Sequence, residues 1–291
     1  MNIVNYNWLT CIADWCIDQT EDFYNSVGVT KACNTPQLKN KPIITWKPDI
    51  ISPIYDIGHI FKINMIDYQN TLFVHHHTGL GDHIVCNGMV RFILKTHKPN
   101  KLILITKNNN LESVKNMYRD CKNIQFLCVN VDFDFYKLDL DWNNIKLIRA
   151  GFQKVRLDWD VSFYDSVNIP FKERWDSFYY ERNVEKENEL IKAINPPEKF
   201  ILVHDTSSTD KLILKTNTTL PVIKVQPIHS FDIFSWCKLA ETAEEVHCID
   251  SSFIHLAQML NIKQKYFHNA RNKTYDFVLK SDWNIIDEYH K

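Results

Sequence analysis

From residue 71 onward the chain alternates short apolar runs with segments of helical period. Thr71 to His75 (TLFVH) is an apolar run ending in His75-His76-His77 and a glycine turn. After it Ile84, Val85, Met89, Val90, Ile93 and Leu94 recur at helical spacing, so the pattern predicts strand, tight loop, helix. Lys101 to Thr106 (KLILIT) and Ile124 to Val129 (IQFLCV) predict two more strands with a helix over 110–121 between them, and Lys146 to Arg149 a fourth strand. Ser162 to Asn168 reads as a short helix, and Glu185 to Ile194 as a charged helix closed by Pro196-Pro197. A second series follows, with strands at 199–204, 221–226, 245–249 and 263–267 and helices at 231–243 and 252–260. Strands alternating with helices imply parallel sheets with crossover helices, an α/β architecture of the doubly wound kind. Residues 1–68 lack a clear period; a helix near 8–24 and a strand at 42–46 are expected among Pro36, Pro42, Pro48 and Pro53. The organisation expected is therefore an N-terminal extension (1–68) of unclear role, a first Rossmann-like domain (69–180) and a second (181–291).

Composition narrows the class. With 45% hydrophobic and 13% aromatic residues the 291-residue chain is not of the disordered type. A formal net charge of -1 gives no basic footprint, so nucleic acid is not an expected partner. No apolar run approaches the roughly 20 residues of a membrane span, and MNIVNYNWLTCIADWCIDQTEDF lacks a basic leader, so a cytoplasmic location is expected, the host cytoplasm if the source is viral. The eight cysteines are scattered without a C-x-x-C pair and are expected to be reduced thiols. Glycine is scarce: there are six, where roughly 20 would be ordinary. Three of them, Gly79, Gly81 and Gly88, fall within ten residues.

Candidate chemistry collects at three strand ends. His77-Thr78-Gly79-Leu80-Gly81-Asp82-His83 leaves the first strand, where open α/β sheets bind ligands; its glycines would allow close backbone approach, or merely make a turn with Asp82 as helix cap. The third glycine of a dinucleotide fingerprint is missing, so an NAD site is not expected. His204-Asp205-Thr206-Ser207-Ser208-Thr209-Asp210-Lys211 offers hydroxyls and a lysine for a diphosphate, or a plain polar loop. Asp250-Ser251-Ser252-Phe253-Ile254-His255 opens a helix whose free N–H groups suit phosphate, or is a simple cap with His255 facing the core.

In order and approximate spacing, GLGDH, TSSTDK and DSSFIHLA resemble the GT-B glycosyltransferases of the heptosyltransferase-like type, including small bacterial and giant-virus members, over residues 71–268. Pro170-Phe171-Lys172-Glu173-Arg174-Trp175 to Arg182 looks like their interdomain stretch. The resemblance implies two Rossmann-like domains and metal-independent, inverting transfer of a sugar from a nucleoside-diphosphate sugar to a glycan or small hydroxyl acceptor. Carried over, the catalytic base falls on Asp82. Donor and phosphate binding fall on Thr206, Ser207, Lys211, Asp250, Ser251, Ser252 and His255, and the acceptor-side loop on His77, Gly79, Gly81 and His83. Ser252 departs from the family's glycine. No cofactor is implied beyond the nucleotide sugar, and the oligomeric state is left open.

Physically, a base must take the acceptor proton and positive groups must stabilise the leaving diphosphate. One tension is that a carboxylate near a helix N-terminus is stabilised in its charged form and is a weaker base. Asp132-Phe133-Asp134 and Asp139-Leu140-Asp141 match the D-x-D of metal-dependent glycosyltransferases, against which they are expected to be solvated loops. His75-His76-His77 cannot converge on one ion because neighbouring strand residues face opposite ways; one histidine is expected to face the cleft. A non-catalytic nucleotide- or glycan-binding module on the same fold is the alternative from another class.

Overall fold

In the computed structural model of the chain the described residues are 67–152, 158–271 and 276–287. The helix expected near 8–24 and the strand at 42–46 lie outside them.

The first half carries a parallel sheet of β1 (Thr71–His75), β2 (Lys101–Lys107), β3 (Ile124–Val129) and β4 (Lys146–Arg149) in the order β3-β2-β1-β4. All five residues of β1 are buried, as befits a parallel strand covered on both faces. Strand alternation divides its side chains cleanly. Leu72 and Val74 join the main core, whereas Phe73 packs with Ile103, Ile105, Phe135 and Leu147 in a second cluster on the other face. By the same parity His75 and Arg149 belong to the Phe73 and Leu147 face.

The main-core face is covered by α1 (Leu80–Val85), α2 (Asn87–His97) and α3 (Leu111–Met117). Helical period alone predicts one helix through 84–94, but the structure breaks it at Cys86. The cause is Tyr164 of α4 (Trp159–Asp165). Its hydroxyl donates to the Val85 carbonyl at 2.8 Å and accepts from the Met89 N–H at 3.2 Å, so it is inserted where the helical bond between those two groups would run.

The second half carries a parallel sheet of β5 (Ile201–His204), β6 (Val222–Lys224), β7 (Glu245–Cys248), β8 (Lys265–His268) and β9 (Trp283–Ile286), ordered β6-β5-β7-β8-β9. Strand β9 had no counterpart in the sequence pattern. Nor had the one-turn α5 (Glu173–Asp176). The helix expected over 231–243 is a 3-10 turn at Ile233–Trp236, capped by Asp232, running into α7 (Cys237–Thr242). The chain reaches this half through α6 (Val184–Ile194), and α8 (Ser252–Ala257) follows β7. One continuous apolar cluster runs from Leu72 to Trp283 through both halves. The five cysteines among the described residues, 86, 121, 128, 237 and 248, are all free.

Gly88 shows how tightly α2 sits on α5. A Cβ there would stand 2.1 Å from the Glu173 carbonyl oxygen. Gly88→Ala is therefore expected to destabilise the protein by about 1–3 kcal/mol, despite the roughly 1 kcal/mol that alanine adds in a helix. A fall in the urea midpoint at unchanged slope would register it.

Candidate functional site

Strand order reverses between β1 and β4 in the first sheet and between β5 and β7 in the second. Ligands of open α/β sheets bind beyond the carboxyl ends of strands at such reversals.

At the first reversal the three histidines diverge. His75 is buried against Phe135, with Nδ1 3.1 Å from the Tyr136 hydroxyl. His76 is buried edge-on to His83 and donates from Nδ1 to the His77 carbonyl at 2.7 Å; burial lowers its pKa to about 4. His77 keeps 38% of its side chain exposed. Its Nδ1 lies 2.9 Å from Asp132 Oδ2 and its Nε2 3.1 Å from the Gly151 carbonyl. Both neighbours are acceptors, so the arrangement favours the protonated ring, in which both nitrogens donate. Burial opposes that charge, but the bond to Asp132, the charges of Asp82 and Asp132 and the Gly151 carbonyl outweigh it and hold the pKa above its usual value.

Asp132 also accepts from the backbone N–H and the hydroxyl of Thr78, and Lys107 Nζ stands 3.6 Å away. These partners drive its pKa far down against the effect of burial. The expectation of a solvated loop is therefore corrected for Asp132, which anchors the β1 loop and is only 16% exposed. Asp134 bonds Val131 N–H and Lys137, and Asp141 bonds Asn144, so each of these carboxylates is engaged with its own near neighbours. Asn110 donates to the Thr78 carbonyl at 2.8 Å. The loop is thus held from beyond β2, β3 and β4 at once.

Asp82 is the third residue of α1, whose cap is Gly79, so the simple-cap alternative does not describe it. The carboxylate folds back over Gly79, where a Cβ would stand 2.5 Å from Asp82 Oδ2. Any side chain at 79 would push the carboxylate aside. Burial raises the Asp82 pKa to about 6, against the opposing charge of His77, with Asp132 adding to the rise and Lys107 and the Gly79 N–H opposing it. The tension foreseen from the helix terminus is resolved in favour of burial: Asp82 is a stronger base than an ordinary aspartate.

At the second reversal, Ser207 Oγ accepts from the N–H groups of Thr209 and Asp210, and Thr206 bridges to Lys211 across the loop. Lys211 is exposed. Ser251 Oγ is hydrogen-bonded to His204 Nδ1 at 2.8 Å, joining the ends of β7 and β5. Arg271 ties both loops together, donating to Asp210 Oδ2 at 2.7 Å, Thr209 Oγ1 at 3.0 Å and the Asp250 carbonyl at 2.6 Å. Nothing in its local sequence, Ala270-Arg271-Asn272, marks it for that place.

The two reversals meet where α1 packs on α8. A Cβ on Gly81 would lie 3.4 Å from Ser252 Cα and 3.4 Å from His255 Cδ2. The Gly81 backbone thus faces the start of α8. His255 takes the core-facing alternative: it is buried between Trp159 and Phe277, and Arg174 Nη2 donates to its Nδ1 at 3.3 Å. His83 is likewise fully buried, so neither ring is presented to solvent. Among the described residues no three His, Cys, Asp or Glu side chains form a metal-binding group, and no helix is long and apolar enough to cross a membrane.

No family model matches the sequence. No curated protein matches it either. Among solved structures the chain is similar to the crystal structure of the glycosyl transferase family 9 from Veillonella parvula DSM 2008, with TM-score 0.47 and 11% identity over 76% of this chain and 87% of that one.

Proposed function

We propose that the chain is a glycosyltransferase that moves a sugar from a nucleoside-diphosphate sugar to a hydroxyl acceptor, with Asp82 as the base. The observation that carries this is the Asp82 carboxylate, raised to about 6 at the β1 reversal, on a helix that packs against the one opening beyond β7. A base of that strength is mostly ionised at neutral pH yet takes a proton readily. It removes the acceptor proton as the acceptor oxygen bonds the anomeric carbon, and the diphosphate departs with the electron pair of the broken bond. Inversion follows from such direct displacement.

On the donor side Thr206, Ser207, Asp250, Ser251 and Ser252 would line the diphosphate, with Lys211 supplying charge. Arg271 joins them as a residue that shapes both loops. His77, Gly79 and Gly81 shape the acceptor side. The metal-dependent alternative would require Asp132 to give up its bonds to His77 and Thr78.

A thermal-shift panel of nucleoside diphosphates and nucleotide sugars tests the assignment. A ligand at 100 times its dissociation constant adds about 2.7 kcal/mol, a clear rise in Tm. A panel in which no member raises the Tm would sink the proposal.

A further inference from the structure

Behind His77 lies a cation that the transfer step does not use. Arg149 ends β4, paired in register with His75. Its guanidinium carbon sits 4.8 Å from the ring centroid of Phe152 and 5.6 Å from that of Tyr136. The His77 ring, whose pKa is raised, lies 4.4 Å from the same Phe152 centroid. Asp132 serves His77 and Lys107. The described residues give Arg149 no hydrogen bond and no ion pair, and its Nε is buried without a partner. The Nη atoms are not among the buried orphans, so they reach the surface.

Holding a guanidinium partly out of water with no anion is unfavourable, and buried charges are as a rule paired. The stacking rings fix its plane and leave its edge open, and such an edge matches the two oxygens of a carboxylate or phosphate.

We propose that Arg149 is the anion-binding end of the acceptor subsite, taking a phosphate or carboxylate group carried by the acceptor. The acceptor role rests on the glycosyltransferase reading; the anion site itself does not.

The test uses full-length protein labelled with 15N-arginine and follows the Arg149 Nε–H resonance by NMR. The burial of Nε slows its exchange with water. Arg149→Lys identifies the signal by its loss. Should that variant not fold, Phe152→Leu identifies it by removing the ring-current shift. Inorganic phosphate and acetate are titrated separately, with sodium chloride at matched ionic strength as the control. A saturable shift with phosphate alone assigns a phosphorylated acceptor, with acetate alone a carboxylated one, and either supports the site. If neither anion moves the resonance beyond the chloride control, the proposal is overturned. The Arg271 resonance reports separately on anions entering the donor side. The nucleoside-diphosphate panel stays independent: a negative panel with a positive Arg149 titration ends the transferase reading and leaves an anion site, while the reverse ends only this proposal.

Discussion

Asp82→Ala is expected to lower kcat/KM for sugar transfer by about 10³-fold while leaving the thermal shift with the nucleoside diphosphate unchanged. The carboxylate stands at the β1 reversal, and no donor-loop side chain bonds to it in the structure's hydrogen-bond network around Ser207, Asp210 and Arg271. Loss of donor binding together with activity would mean that Asp82 supports the fold of the site, not the chemistry. The wild-type pH profile supplies an independent check. With the carboxyl raised to about 6, kcat/KM should fall as pH drops through about 6, because protonation removes the base. Asp132→Asn should move that limb. It removes a negative neighbour that raises the Asp82 pKa, and it also removes the hydrogen bond and charge that raise the His77 pKa. The stability linked to His77 runs the other way. Its folded pKa is raised, so its contribution is complete below the unfolded value of 6.5 and is lost as pH rises through the folded one.

Arg174→Met is expected to cost about 3–5 kcal/mol of stability, roughly a 10 °C fall in Tm for a chain of this size. Arg174 and Asp160 form an ion pair in which both side chains are 0% exposed. Asp160 also accepts from the Val278 N–H at 3.0 Å, and Arg174 reaches the Val278 carbonyl and His255. Removing the guanidinium leaves a buried carboxylate with no counter-charge, which costs more than the pair itself contributes. The double variant Asp160→Leu with Arg174→Met should therefore recover much of the loss. An equal loss in the single and double variants would assign the effect to packing on Trp175, 4.3 Å from the guanidinium carbon.

Among the described residues most elements were legible in the sequence. β1, β3 and β4 have the bounds that their apolar runs predict, and α6 differs from its predicted span by one residue. A strand or helix buried on a given face must repeat apolar residues at its own period, so the signal is local and readable. The three strand-end loops were readable for a similar reason, because Gly and hydroxyl residues interrupt those periods. What they do was not. Asp132 was visible only as half of a D-x-D, and its partners His77 and Thr78 lie more than fifty residues earlier in the chain. The carboxylate that folds over Gly79 belongs to Asp82, and the neighbours of Gly81, Ser252 and His255, arrive from the other half of the chain. The break at Cys86 depends on the Tyr164 hydroxyl, and Arg271 joins two loops to which no motif links it. The protonation of His77 and the strength of Asp82 belong to the same category. Period and turn chemistry are properties of neighbouring residues, and the sequence by itself determined them here. Burial, pairing and proton affinity depend on what folding brings into contact, so the tertiary structure alone decided which histidine is paired with a carboxylate and which aspartate has its pKa raised.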